Sequence, residues 1–274
     1  MTEKNKRISY GKQWIGREEI RAVTAVLKSD FLTQGPKVFE FEKALAKTVG
    51  AEYVVAVANG TAALHLAAIA LNLKSGNEVI TTPISFLATS NAILYAGAKP
   101  VFADIDSETQ CLDPKCIESK ITKRTSAIFV TDFAGHPADM KTIWQLAKKH
   151  GFRVLEDACH ALGSFYGRDR VGSCRHADVS IFSFHPVKHI TTGEGGAITT
   201  NDKKLYERLC DLRTHGVTRD PEKLIAKNEG AWYYEMQDLG YNYRLTDLQA
   251  ALGIEQLKKL KGFKIGRAAC RERV

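Results

Sequence analysis

The sequence predicts an α/β fold with a mostly parallel central sheet flanked by helices, and two observations point to it. Short β-branched apolar runs alternate with helix-length segments through the first two hundred residues, the pattern of strands buried on both faces. Small and polar residues follow several of those runs, at Asn59-Gly60-Thr61, Asp157 and Ser183. In open parallel sheets ligands sit at these carboxyl ends.

In order, Tyr53 to Ala58 (YVVAVA) reads as a buried strand, followed by a helix from Ala62 to about Leu73. Glu78 to Thr81 is the next strand, and Ser85 to Tyr95 the next helix. Pro100 to Ala103 and Ala127 to Thr131 are further strands. Met140 to His150 is helical, and Arg153 to Glu156 is a strand that ends at Asp157. Val179 to Phe182 and Ala197 to Thr200 complete the strand set, with a helix over Lys203 to Thr214. Gly216 to Gly240 lacks periodicity and reads as a long connection. A last helix runs from about Thr246 to Leu260.

Composition narrows the function classes. The chain has 274 residues, 44% hydrophobic and 26% charged, as expected of a globular domain with one large core. No apolar run reaches the length of a membrane span, and MTEKNKRISYGKQW lacks the apolar centre of a signal peptide, so a cytoplasmic protein is expected. The formal charge is +8, but seven Lys/Arg and one Glu lie from Lys258 onward. The first 257 residues therefore hold 32 Lys/Arg against 30 Asp/Glu, without the basic stripe of a nucleic-acid reader. The six cysteines (Cys111, Cys116, Cys159, Cys174, Cys210, Cys270) form no C-x-x-C pair; reduced thiols are expected, with neither a metal site nor a disulfide framework.

Four places carry candidate chemistry. In Ser183-Phe184-His185-Pro186-Val187-Lys188, followed by Thr191-Thr192-Gly193-Glu194-Gly195-Gly196, one lysine stands between a proline-broken strand end and a glycine-rich stretch. Desolvation by Phe, Pro and Val would make its amine a nucleophile; the alternative is a solvated loop lysine. Asp157 closes an apolar strand, where its carboxylate either faces a pocket or caps a helix. His160, three residues on, is a second pocket candidate or a structural histidine. Cys159 beside it suggests a thiol nucleophile only if neighbours on a strand end pointed the same way. Asn59-Gly60-Thr61 starts a helix after a strand, where backbone N–H groups favour a phosphate, although a plain strand–helix turn looks alike. It is neither a Walker loop nor a G-x-G-x-x-G fingerprint. Phe86, at the next strand end, either lies on a flat ligand or belongs to the core.

Taken together, SDFLTQGPKV, NGTAALHLA, ITTPISFLATSNA, GAKPVFADID, LEDACHALGS, SFHPVKHITTGEGG and GYNYRLTDLQAAL resemble the DegT/DnrJ family of pyridoxal-phosphate (PLP) dependent sugar aminotransferases, from about Ile8 to Leu260. The resemblance implies the large domain of the type I aminotransferase fold, and pyridoxal 5′-phosphate as cofactor. It implies that Lys188 is the catalytic residue that bonds the cofactor, that Asp157 pairs with the ring nitrogen, and that His160 lies beside the ring oxygen. Phe86 would stack on the ring, and Gly60, Thr61 and Ser183 would cradle its phosphate. Asn242 would reach the cofactor phosphate of a neighbouring subunit, which implies a homodimer with shared sites. Tyr10 and the segment Asp30, Phe31, Leu32 and Thr33 would contact the sugar nucleotide.

The implied reaction moves an amino group from glutamate to the C4 keto group of a UDP-linked 2-acetamido-2,6-dideoxy-hexos-4-ulose, a step in pseudaminic acid biosynthesis. Another UDP- or dTDP-linked keto sugar, or a PLP-binding fragment without turnover, are the alternatives. Neither nucleic acid nor membrane is an expected partner. Residues 1–261 are expected to form the large domain with its N-terminal segment. Residues 262–274 form a basic tail unlike the family's continuation, so that the family's small carboxyl-terminal domain is expected to be largely missing.

Overall fold

The computed structural model describes residues 11–226, 229–230 and 232–271, the side chains of 264–271 apart. Two helices that the alternation of strands did not reveal come first, α1 (Arg17–Leu27) and α2 (Pro36–Val49). Helix α2 carries its own punctuation: Pro36 occupies the first turn, where its missing N–H costs nothing, and Gly50 closes the helix at φ 82°. Between them Phe41, Leu45 and Val49 recur at helical spacing, and all three are buried.

Strand β1 (Tyr53–Val57) leads to α3 (Gly60–Ala70), then β2 (Glu78–Thr81), α4 (Leu87–Tyr95) and β3 (Lys99–Phe102). A single turn, α5 (Pro114–Ile117), precedes β4 (Thr125–Thr131), α6 (Met140–His150) and β5 (Arg153–Asp157). A small hairpin, β6 (Phe165–Tyr166) with β7 (Asp169–Arg170), stands before β8 (Val179–Ser183), β9 (Gly196–Thr200) and α7 (Lys203–Arg213). The stretch read as a long connection contains a second hairpin, β10 (Val217–Thr218) with β11 (Glu235–Met236). Its two-residue strands are too short to carry a hydrophobic period. The final helix, α8, runs over Asp247–Arg271, beyond the Leu260 boundary expected from the sequence. Residues 261–271 contain Gly262 and Gly266 but no proline. A glycine weakens a helix by about 1 kcal/mol without stopping it.

The main sheet has seven strands in the order β1-β9-β8-β5-β4-β2-β3. Strand β9 alone is antiparallel to its neighbours, β1 and β8; the other pairings are parallel, so the mostly parallel expectation holds. Both faces are covered. Phe129, Leu155, Ile181 and Ile198 pack toward α3, α4 and α7, while Ile128, Val130 and Val154 pack toward α6 with Met140, Ile143 and Ala147. On that second face, nearer β1, Ala56, Phe182 and Ala197 meet Phe41 and Leu45 of α2 and Leu257 of α8. Among the described residues no helix is long and apolar enough to cross a membrane.

Polar contacts fix the ends of the layers. Arg213 Nη1 donates to Glu42 Oε1 at 2.6 Å and to the Ala56 carbonyl at 2.8 Å, tying α7, α2 and β1 together. Such a pair matters chiefly because removing either member would strand the other charge in the interior. Helix α1 is held to α8 by Glu19, whose side chain is fully buried. Its carboxylate accepts from the Gly16 N–H at 2.7 Å, Lys259 Nζ at 2.7 Å and Gln256 Nε2 at 2.9 Å. Burial alone would raise the Glu19 carboxyl, but these donors outweigh it and hold it down to about 2.

Because the folded value lies below the usual 4.5, this contribution to stability is present above 4.5 and is lost as pH falls toward about 2. Urea unfolding across that window should show a falling midpoint for the native chain and a shallower fall for Glu19→Gln. Parallel curves would mean that the contact does not stabilise the docked helix.

Candidate active site

The carboxyl ends of the parallel strands open into one cavity of about 740 Å3. Strand β1 delivers Asn59, Gly60 and Thr61, β4 ends on Thr131, β5 on Asp157 and β8 on Ser183, and all of these line it. Phe86, His160 and Lys188 complete the sequence-predicted residues on its wall. The strand ends meet because the register pairs Thr131 with Asp157 and Asp157 with Ile181, two residues before Ser183.

The first turn of α3 is built to receive an anion. Asn59 Oδ1 accepts the Ala62 N–H at 2.8 Å and the Asn59 carbonyl accepts that of Ala63 at 3.1 Å. The N–H groups of Gly60 and Thr61 find no acceptor among the described residues and stand at the positive end of an eleven-residue helix. A Cβ on Gly60 would lie 2.9 Å from Ser183 Cβ, so the absence of a side chain there keeps the space between the helix end and the serine open.

Asp157 is not a helix cap: a turn closed by Ala161 N–H on the Ala158 carbonyl follows it, and no helix begins there. Its Oδ2 accepts Thr89 Oγ1 at 2.6 Å and its Oδ1 accepts the Cys159 N–H at 3.2 Å. Two further carboxyls stand behind it. Burial, then the Glu156 charge, raises Asp132 well above the usual carboxylate range, against one N–H from Ala138. Burial likewise raises Glu156, although Ser180 and the Gly172 N–H donate to it. Both are driven toward the neutral acid. Burial also pushes the Cys159 thiol far up, and the charge of Asp157 adds to the shift. A thiol so disposed stays protonated, which removes the reading of Cys159 as a nucleophile.

Lys188 sits in the turn between β8 and β9, its N–H donating to the His185 carbonyl at 2.8 Å. The loop is pinned at its base by Phe184 N–H to the Gly195 carbonyl at 2.8 Å and Thr192 N–H to the Phe184 carbonyl at 3.0 Å. The apolar neighbours expected to desolvate the lysine do otherwise. Phe184 turns into the core against Phe41, with ring centroids 5.3 Å apart, and Val187 is 49% exposed. Lys188 is half-buried, and its cation is felt by the Cys159 thiol beside Asp157. Phe86 is 63% exposed at the entrance to α4, so it is not a core aromatic and offers a face to whatever fills the cavity.

An amine, a buried carboxylate, an anion cradle and an exposed aromatic around one cavity at the carboxyl end of a parallel sheet narrow the families that fit, and the sequence profile of the DegT/DnrJ/EryC1/StrS aminotransferase family matches residues 13–273. The chain belongs to this family. It is 46% identical over 256 residues to the UDP-4-amino-4,6-dideoxy-N-acetyl-β-L-altrosamine transaminase of Campylobacter jejuni, covering 92% of this chain and 65% of that protein. The structure of Helicobacter pylori PseC, an aminotransferase of pseudaminic acid biosynthesis, superposes with a TM-score of 0.85 at 38% identity, over 93% of this chain and 66% of that one. The PLP-form of the sugar aminotransferase Spr1654 from Streptococcus pneumoniae gives 0.84 at 31% identity, over 93% and 67%. The chain spans between 63% and 66% of the length of the curated relatives it matches.

Not every position singled out from the family resemblance comes to the cavity. Asn242 is exposed and lies outside the cavity of its own chain, where its main chain bridges to Thr214. Asp30, Phe31, Leu32 and Thr33 are also exposed and outside it. They lie beside the start of α8, where the Asp247 carboxylate accepts the N–H groups of Gly35 at 2.8 Å and Lys37 at 2.9 Å. Tyr10 lies outside the described residues. Conversely, the cavity recruits His65, Tyr95 and Tyr243, which the sequence did not mark as site residues. His65 packs edge-on against Tyr95 and its Nδ1 lies 3.3 Å from the Tyr243 hydroxyl. Thr89 was missed as well; a hydroxyl one helical turn past Ser85 was the signal available.

Replacing Gly60 by Ala should force Ser183 aside and weaken binding of inorganic phosphate about tenfold, roughly 1.4 kcal/mol, with little change in melting temperature. Calorimetric titration of both chains with phosphate measures this; equal affinity would remove the α3 terminus from the anion site.

Proposed function

We propose that this chain is the cofactor-binding part of a PLP-dependent aminotransferase that carries an amino group from glutamate to the C4 keto group of a UDP-linked 2-acetamido-2,6-dideoxy-hexos-4-ulose, for pseudaminic acid biosynthesis. The observation that carries the reading is the meeting of Lys188, Asp157 and the α3 N-terminus around one cavity. The sugar class rests on the similarity to the altrosamine transaminase and to PseC.

The residues present fit PLP. The open N–H groups of Gly60 and Thr61, with the Ser183 hydroxyl, would hold its phosphate, in a cradle that a Cβ on Gly60 would fill. Asp157 would hold the ring nitrogen in its protonated form, and Phe86 would cover one face of the ring, with His160 beside its oxygen. Bound there, PLP supplies an electron-withdrawing ring that lowers the cost of removing a proton from the amine-bearing carbon. Lys188 would supply the amine that holds the cofactor, and its amine would take and return the proton at the reacting carbon in both half-reactions. Lys188 is half-buried in a pinned loop and lines the cavity.

The working unit is a homodimer in which Asn242 serves the partner's site. Support comes from its exposure outside its own cavity and from the uncovered apolar side chains of α4, Leu87, Leu94 and Tyr95, next to the cavity mouth. The enzyme works in the cytoplasm.

Addition of PLP to the purified chain should give a yellow species that borohydride fixes onto Lys188, identified by peptide mapping, and Lys188→Ala should give none. With glutamate and a panel of UDP- and dTDP-linked keto sugars, transfer should be fastest to the UDP-linked C4 ketone. Loss of the Lys188 amine should slow it by roughly 10^2 to 10^4. A fixed cofactor without any transfer would mark a binding fragment, and a preference for another keto sugar would correct the substrate alone.

A further inference from the structure

Asp157 stands at the end of a directional chain of hydroxyls. Its Oδ2 accepts Thr89 Oγ1 at 2.6 Å, Thr89 Oγ1 lies 2.8 Å from Ser85 Oγ, and Ser85 Oγ lies 3.0 Å from Thr131 Oγ1. Each hydroxyl has one proton to donate. A carboxylate only accepts, so Thr89 must spend its proton on Asp157 and can only accept from Ser85. Ser85 in turn must accept from Thr131. One ionised group thereby sets the direction of all three donors, and the chain links α4, the turn before it, β4 and β5.

The placement is selective. Thr89 is fully buried and does not line the cavity, whereas Ser85, Thr131 and Asp157 do. Around Asp157 the titratable groups are Asp132 at the end of β4, Glu156 on the same strand, Cys159 and His160 in the following turn, and Lys188 across the cavity. Burial drives Asp132 and Glu156 toward their neutral forms, and Asp157 is the member of this trio that faces the cavity. A hydrogen bond to a charged group is among the stronger polar contacts, enough to hold one carboxylate rotamer against its alternatives.

We propose that Thr89 is a positioning residue: its hydroxyl, oriented by Ser85 and Thr131, holds Asp157 as an ionised carboxylate in the rotamer that meets the cofactor ring nitrogen. The inference rests on the PLP reading of the cavity. Loss of the Thr89 donor leaves Asp157 freer to turn and more able to draw the ring proton to itself. Either change makes the ring nitrogen less positive and the Lys188–cofactor linkage more basic.

The test is a pH titration of the absorbance of the full chain loaded with PLP. Thr89→Val, which keeps the shape and loses the hydroxyl, should move the transition to higher pH by about half a unit or more, while Thr89→Ser stays near the native value. Ser85→Ala, which leaves the Thr89 donor in place but removes its orienting neighbour, should move it less and in the same direction. It also decides the matter if Thr89→Val does not fold, because a native titration in Ser85→Ala would then overturn the proposal. A Thr89→Val chain that only melts earlier and titrates like the native chain would show a structural threonine and overturn it. If the native chain forms no borohydride-stable bond to Lys188, the PLP reading fails and this inference with it. A native chain that forms the bond beside variants that titrate identically defeats the inference alone.

Discussion

The pairing of β4 with β5 and β5 with β8 is the constraint on which the site depends. Parallel strands held in one register end at nearly the same level, so that residues far apart in the chain arrive together at one rim. Thr131 sits opposite Asp157, and Ser183 lies just past the partner of Asp157. Both faces of these strands are buried under helices, and a slip of one residue would exchange Phe129 and Leu155 with Ile128 and Val154 between two different cores. The apolar packing that stabilises the sheet is thus also what sets the position of the polar groups at its end.

The reversed strand β9 has a role in this arrangement. Because β9 runs antiparallel to β8, the connection between them, residues 184–195, is a loop that stays at the carboxyl end of the sheet rather than a crossover. Lys188 lies in that loop. Strand β9 also separates β8 from β1, yet the Cβ that Gly60 lacks would touch Ser183, so the helix end and the serine close over the end of β9.

Electrostatics at the rim follow from burial. Three carboxyls, Asp132, Glu156 and Asp157, are too close in a desolvated place for all of them to ionise. Two are turned inward, each with its own donors, Ala138 N–H for Asp132 and Ser180 with Gly172 N–H for Glu156. The third meets the cavity and the Thr89 hydroxyl. Burial and the charge of Asp157 keep the neighbouring Cys159 protonated, so that no thiolate stands at this rim beside Lys188.

The alternation of apolar runs with helical segments was enough to place the strands of the main sheet to within a few residues, because a strand buried on both faces must be apolar throughout. Motif spacing likewise picked out Lys188, Asp157, Phe86, His160, Ser183 and the Gly60–Thr61 turn, since a residue after such a strand has one rim to reach. Helices α1 and α2 were overlooked, although Pro36 and Gly50 bracket the second. The β10–β11 hairpin was hidden because two-residue strands carry no period. His65, Tyr95 and Tyr243 belong to three separate segments, and only the packing of α3, α4 and the chain before α8 brings them to one wall. The direction of the Thr131–Ser85–Thr89 chain toward Asp157 is of the same kind: it arises from distances between side chains on different elements. Sequence by itself determined which residues end each buried strand, because hydrophobic burial is written locally. Tertiary structure decided which of those ends face one another and which carboxyls burial drives toward the neutral acid, because register and desolvation exist only once the sheet has formed.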